Sequence, residues 1–235
     1  MPTPSSLRPR TKRPRWNVII ENDPRDPASG CSLDDVLAND ILHGRRDPLL
    51  RLWQTDERAL LIAADASASG SPVIEASGVH RVTGGGQWLA PGPAAILWSV
   101  IANEEALLSA GAANVAEAAT EWALASLRQL GLQASVREDG AIMTPMGPVG
   151  VSSITRRTFG DAEVLIAQGM IDYAIEPADR AATELLGGDT ENVRSQSGLP
   201  LPLVRDRFMR MARTLYLARP LAIPPDEEKS LTTEE

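Results

Sequence analysis

Between residues 133 and 170, four strand-like runs follow one another with no helix-like segment between them, and this limits the fold more than any other feature. The runs cover residues 133–137, 141–144, 149–155 and 163–170, separated by polar or glycine-containing turns of three to seven residues. Connections this short join antiparallel neighbours, because a parallel pair needs a crossover of about a dozen residues or more. Further strand-like runs at 16–20, 49–53, 59–63, 72–75, 78–82 and 95–101 are interspersed with helix-like segments at 32–42, 103–130, 177–186 and 202–218. Strands and helices do not alternate regularly, which predicts an α+β fold with a mixed, largely antiparallel sheet and flanking helices. The runs 49–53 and 59–63 read as a strand pair. Residues 22–30 read as a turn-rich loop, and Gly111 is a weak point in the long helix 103–130. The last helix sets Val204, Phe208 and Met211 against Arg205, Arg207, Arg210 and Arg213, which reads as a solvated face.

Charge divides the chain. The net charge is −8, yet the first fifteen residues carry five cations and no acid, leaving −13 on the remainder. Residues 1–15 read as a disordered basic tail, 16–220 as a single domain and 221–235 as an acidic tail. An acidic body argues against nucleic acid as the main partner, while the tail can steer an acidic one. No apolar run approaches the roughly 20 residues of a membrane span, so no membrane association is expected. The first residues lack the apolar segment of a secretory signal, and a lone cysteine fits a reducing compartment, so a cytoplasmic protein is expected. One cysteine and two histidines, His43 and His80, leave no metal-binding set. His43, at the end of the first helix, reads as a surface residue complementing the helix dipole.

The stretch His80-Arg81-Val82-Thr83-Gly84-Gly85-Gly86-Gln87-Trp88 is the strongest local signal. Three glycines in succession cost backbone entropy and contribute no packing, so their use is close approach of bare N–H groups to a ligand. An acyl carbonyl, a carboxylate or a phosphate suits such a loop; a flexible hairpin turn is the alternative. Around it come Leu33-Asp34-Asp35-Val36-Leu37, Leu50-Arg51-Leu52-Trp53, Ala59-Leu60-Leu61-Ile62-Ala63 and, late in the chain, Glu191-Asn192-Val193-Arg194-Ser195. In this order the features resemble the catalytic domain of the lipoate–protein ligase, octanoyltransferase and biotin–protein ligase superfamily, over roughly residues 16–218. The resemblance implies a biotin/lipoate ligase-like fold in which Thr83, Gly84, Gly85 and Gly86 hold the acyl group. It also implies that Asp34, Arg81, Trp88 and Ser152 bind substrate.

The chain departs from that family where the chemistry sits. The family's lysine, which meets the acyl carbonyl or acyl phosphate, aligns with Val149, and the only lysines are Lys12 and Lys229. The family's His-Gly element is replaced by Ala162-Glu163-Val164-Leu165-Ile166-Ala167-Gln168-Gly169, and the octanoyltransferase cysteine has no counterpart near Glu176. Cys31 is expected instead at the start of the first helix, where free N–H groups stabilise a thiolate, with His80 facing it across the pocket. Cysteine, histidine and bare amides supply nucleophile, base and oxyanion donors. Asp34 and Asp35 oppose the thiolate, and a lone cysteine is as readily a small core residue. Arg81 either neutralises an anionic substrate group or forms a surface ion pair, and Trp88 reads as a pocket wall.

These features predict an acyltransferase that forms an amide from a carrier-protein thioester through a cysteine thioester. No tightly bound cofactor is expected; the donor is the phosphopantetheine arm of an acyl or peptidyl carrier protein, and the acceptor a small-molecule amine. By reaction logic it resembles the condensation enzymes of lincosamide-type antibiotic pathways. The alternatives are a non-catalytic lipoyl- or biotinyl-binding module, or an ATP-dependent ligase that recruits Arg81 or Arg156 as its cation.

Overall fold

Sixteen residues, Pro27–Leu42, form the first helix in the computed structural model, which describes residues 14–63, 78–82, 87–109, 111–182, 186–187 and 191–223. The elements begin with β1 (Asn17–Ile20), α1 (Pro27–Leu42), β2 (Leu49–Trp53), β3 (Arg58–Ala63), β4 (Gly78–Val82) and β5 (Gln87–Pro91). After a single turn of 3₁₀-helix come β6 (Ala95–Ala102), α2 (Glu104–Leu108), α3 (Val115–Gln129), β7 (Ser135–Val136), β8 (Ala141–Thr144), β9 (Gly147–Phe159) and β10 (Ala162–Asp172). The chain closes with α4 (Pro177–Ala182), α5 (Val193–Ser197), α6 (Leu201–Tyr216) and β11 (Arg219–Pro220).

Eight strands make one sheet in the order β11-β1-β2-β6-β10-β9-β8-β7, parallel only where β1 meets β11 and β2. The hairpins β7–β8, β8–β9 and β9–β10 are the antiparallel succession that the short turns require. A second sheet, β4-β3-β5, pairs β3 parallel to β4 and antiparallel to β5. The mixed, largely antiparallel α+β fold expected from the sequence is therefore present. The expected pairing of 49–53 with 59–63 is not. All five residues of β2 are buried inside the large sheet, while β3 starts the small one, so the turn between them carries the chain from one sheet to the other.

Two helical expectations also need correction. Helix α1 starts five residues before Ser32, because the Asp26 carboxylate accepts a 2.8 Å hydrogen bond from the Ser29 N–H and Pro27 occupies the first turn. The Pro-Ala-Ser-Gly run that reads as a loop is a capped helix start. The expected helix 103–130 is two helices. Asn103 caps α2 and Asn114 caps α3, with Gly111 between them at φ +93°. Strand β5, helix α5 and strand β11 are additional to the expected elements, and the strand expected at 72–75 lies outside the described residues.

One face of the large sheet packs on α3 and α6, where Trp98 meets Trp122 edge-on at 5.5 Å and Trp122 meets Phe208 at 5.6 Å. Gly169 makes room for Trp98, since a Cβ there would stand 2.4 Å from the indole. The other face carries α1 and the small sheet.

Candidate functional site

Helix α1 lies over a row of polar side chains. Arg51 of β2 is the register partner of Ser99 on β6, Ser99 of Gln168 on β10, and Gln168 of Ser153 on β9. Directly paired residues share a sheet face, so one polar row crosses four apolar strands beneath the helix. Asp34 of α1 reaches down into it. Its Oδ1 accepts from Arg51 Nη1 at 2.7 Å, and its Oδ2 accepts from Gln168 Nε2 at 2.7 Å and from the Ser99 hydroxyl. Arg51 also donates to Glu21 Oε1 at 2.5 Å and to the Gly30 carbonyl at 2.6 Å, and its guanidinium lies 4.5 Å from the centre of the Trp53 ring. Arg25 shares the Glu21 carboxylate. Two cations and two anions thus neutralise each other in a buried network, the condition under which sealed charges are tolerated. Asp34 and Glu21 hold the Arg51 guanidinium above its ordinary pKa against the opposing effect of burial. Arg51 Nη2 and Ser153 Oγ are buried without a hydrogen-bond partner among the described residues.

Next to this row, Cys31, Trp53, Leu61, Leu97, Val151 and Met170 form an apolar cluster between the large sheet, α1 and the small sheet. Gly30 lets the helix settle there, because a Cβ would fall 2.0 Å from the Trp53 ring. The register partners of Leu61 are His80 on β4 and Trp88 on β5, and those of Ile62 are Arg81 and Gln87. The backbone positions of His80 and Trp88 therefore flank a residue of the cluster that contains Cys31, and α1 packs against β4. Thr83, Gly84, Gly85 and Gly86 lie outside the described residues, as do the side chains of His80, Arg81 and Trp88.

Three sequence expectations change here. Cys31 is the fifth residue of α1, past the helix start, and is sealed in the apolar cluster at 4% exposure. Burial first, then the charge of Asp34, pushes its thiol up to about 12, against the thiolate expected at a helix start. Asp34 is fully buried with both oxygens engaged, which makes it a tie between helix and sheet rather than a group turned toward substrate. Ser152 belongs to the opposite sheet face. It is the register partner of Gly169, and its hydroxyl donates to the Gly140 carbonyl at 3.0 Å, so Ser153 holds the position beneath α1.

Val149 is buried in the apolar core. Arg156 is exposed and engaged with Glu104 and Glu163, and Asp35 pairs with Arg157 at 2.6 Å. His43 Nδ1 lies 2.8 Å from the Asn39 carbonyl at the end of α1, as a C-terminal histidine should. Arg194 and Ser195, capped by Asn192, line a groove of about 440 Å³ with Ile175, Glu176 and Arg180. Among the described residues no acidic, histidine or cysteine group has metal-site geometry, and no helix is long and apolar enough to cross a membrane. Three of the four strands, β2, β6 and β10, carry a local sign of the polar row, one polar residue inside an apolar run, as in Leu49-Leu50-Arg51-Leu52-Trp53.

No protein-family model and no curated protein sequence matches the chain. Solved structures do. A lipoate-protein ligase A bound with ATP superposes with a TM-score of 0.70 at 16% identity, over 94% of this chain and 92% of that one. A Thermoplasma acidophilum protein solved with bound lipoic acid gives 0.70 at 17% identity, over 94% and 93%. The bipartite lipoate protein ligase of the same archaeon, described with its E2 lipoyl domain, gives 0.69 at 16% identity, over 92% and 90%. Helix α1, the large sheet and the small glycine-bearing sheet together are the lipoate–protein ligase fold.

Proposed function

We propose that the chain is an acyltransferase. It joins an acyl or aminoacyl group, delivered as a thioester on the phosphopantetheine arm of an acyl or peptidyl carrier protein, to a small-molecule amine in the cytoplasm. The observation that carries this reading is that none of the described residues is a lysine, and that the chain has Val149 where the resemblance puts the ligase lysine. The chain's two lysines, Lys12 and Lys229, lie near its ends. Without an ammonium group to meet an acyl phosphate, a donor that arrives already activated is the economical chemistry for this fold. Condensation enzymes of specialised metabolism run reactions of this type.

The amine nitrogen attacks the thioester carbonyl, and the carbonyl electron pair moves onto oxygen. Backbone amides of Gly84, Gly85 and Gly86 hold that oxyanion. Collapse of the intermediate breaks the C–S bond, and the departing pantetheine sulfur receives the proton released by the nitrogen, with His80 carrying it. Arg81 and Trp88 hold the substrates. The apolar cluster of Trp53, Leu61, Leu97, Val151 and Met170 supports the acyl chain, and Cys31 is part of that wall. A thiol pushed up to about 12 favours direct transfer over an acyl-cysteine relay.

The test combines an acyl-loaded carrier protein, an amine and the protein without ATP, with mass spectrometry of the products. Amide formation by the wild type and by Cys31→Ala alike is expected, with at least about a 100-fold loss in His80→Ala, the usual scale of a lost acid–base group. Strict dependence on ATP, or a hydroxylamine-labile adduct that disappears in Cys31→Ala, overturns direct thioester aminolysis. Carrier binding without turnover assigns the chain to the non-catalytic module.

A further inference from the structure

The apolar cluster between α1 and the two sheets is closed. Cys31, Trp53, Leu61, Leu97, Val151 and Met170 are each at most 4% exposed, so an acyl chain reaches them only when a wall of the cluster moves. The large sheet is one continuous ladder from β2 to β9, and α1 is tied to it by Asp34 and by the Asp35–Arg157 pair. The small sheet is attached differently. Among the described residues none of its strands pairs with a strand of the large sheet, and residues 58–91 join the rest of the chain only through residues 54–57 and 92–94.

Those two connections lie against each other. Gln54 Nε2 donates to the Pro93 carbonyl at 2.9 Å and to the Ala95 carbonyl at 3.1 Å, and Gly92 turns at φ +76° beside the backbone of Asp56 and Glu57. On the side of the large sheet, the Arg25 N–H donates to the Gln54 carbonyl at 2.8 Å, and the Arg25 carbonyl accepts from the Asp56 N–H at 3.0 Å. Two short links, clasped together and anchored at one end, have the construction of a hinge. Arg58, the first residue of β3, crosses it to Asp179 of α4 at 2.6 Å. Helix α4 belongs to the fixed side, because Arg180 pairs with Asp172 of β10 and donates to the Pro148 carbonyl of β9 at 2.9 Å. The Arg58 and Asp179 side chains are 37% and 22% exposed, so their ion pair is weak enough to break thermally and is screened by salt.

We propose that the small sheet is a lid on the apolar cluster, turning on the hinge at Gln54 and Gly92 and held shut by the Arg58–Asp179 pair. Admission of an acyl chain beneath it rests on the acyltransferase reading given above; the motion itself does not. Opening gives up the burial of Ala59 and Leu61 and the packing of β4 on α1 and of β5 on α4, so the closed form dominates and the open one is a minor state. The competing route to the cluster is fraying of α1. The Asp35–Arg157 pair, also 2.6 Å long and partly exposed, guards that route.

Cys31, the chain's only cysteine, reports the opening because it shares the cluster with Ala59 and Leu61. The measurement is labelling of the full-length native protein by N-ethylmaleimide, an uncharged reagent, followed by intact mass, with hydrogen exchange read in parallel. Labelling of the wild type is expected to be slow and nearly independent of urea well below the unfolding transition, the mark of a local opening. Arg58→Ala is expected to speed it about three-fold, the scale of a partly exposed ion pair, and Asp179→Asn to do the same from the other side. Raising the salt from about 0.05 M to about 0.5 M should speed the wild type and not Arg58→Ala. Amides of β3 should exchange faster in Arg58→Ala while those of α1 do not, and Arg157→Ala should leave labelling unchanged. Equal acceleration by Arg157→Ala, no acceleration by Arg58→Ala, or labelling that occurs only with global unfolding overturns the lid. The expected labelling without amide formation leaves the lid standing and removes the acyltransferase; amide formation with a lid that fails these tests does the reverse.

Discussion

Arg51 is the residue on which both the charge balance and the packing of the site converge. It sits at the centre of an apolar strand, fully buried, joined to Asp34 and Glu21 and stacked on Trp53. Truncating one member of such a group strands the opposite charge in a medium that cannot solvate it. Asp34→Ala is therefore expected to cost about 3–5 kcal/mol of stability, as measured by urea unfolding, with a milder loss for Asp34→Asn. Cys31 gives a second prediction at this scale. An acid whose pKa rises on folding stabilises the folded state while it stays protonated. The Cys31 contribution is thus complete below the unfolded thiol's 9.0 and is lost as pH climbs toward about 12. Cys31→Val should flatten the fall in unfolding midpoint across that alkaline range. Tyr216, whose phenol is pushed up by burial, leaves a residual slope. The native thiol should also resist iodoacetamide at about pH 8 and react once the chain is unfolded.

At the scale of elements, α1 shows how a few polar and small residues decide what a site contains. Had the helix begun at Ser32, Cys31 would have stood among its free N–H groups. Because Asp26 caps the helix five residues earlier, the thiol is carried into the second turn and turned onto the sheet. Asp26→Ala is expected to lose about 1 kcal/mol, read as a lower melting temperature, and to fray the turn before Cys31. Gly30→Ala should cost more. Its methyl would overlap the Trp53 ring and force helix and strand apart, a loss of about 1–3 kcal/mol with faster thiol labelling of Cys31. Both helix starts that were misplaced in the sequence involve caps whose partner is a backbone N–H three residues on. Asn114, accepting from the Glu117 N–H, is the other. Local chemistry of this kind is present in the sequence, but turn-like composition masks it at α1 and an alanine-rich run that reads as one helix masks it at α3.

For the whole molecule, the last strand matters more than its two residues imply. Strand β11 closes the edge of β1, and Leu221 and Ile223 beyond it cover the apolar cluster of Ile19, Leu33 and Leu37. Truncation after Ala218 is expected to lower the melting temperature and increase aggregation, through a bared parallel edge and an uncovered apolar face. Much of the architecture was legible before any coordinates. Short turns after residue 133 dictate antiparallel hairpins, and the glycine triplet with its flanking strands marks the ligase-like fold, because local spacing and backbone permissiveness are properties of the chain itself. The assignment of β2 and β3 to different sheets and the face that Ser152 or Ser153 presents depend on pairing with distant strands. The polar row of Arg51, Ser99, Gln168 and Ser153 likewise exists only once strands β2, β6, β10 and β9, separated by long stretches of sequence, lie side by side. The burial of Cys31 by neighbours far along the chain likewise belongs to the tertiary structure, and it pushes the thiol up where the helix start in the sequence suggests the reverse.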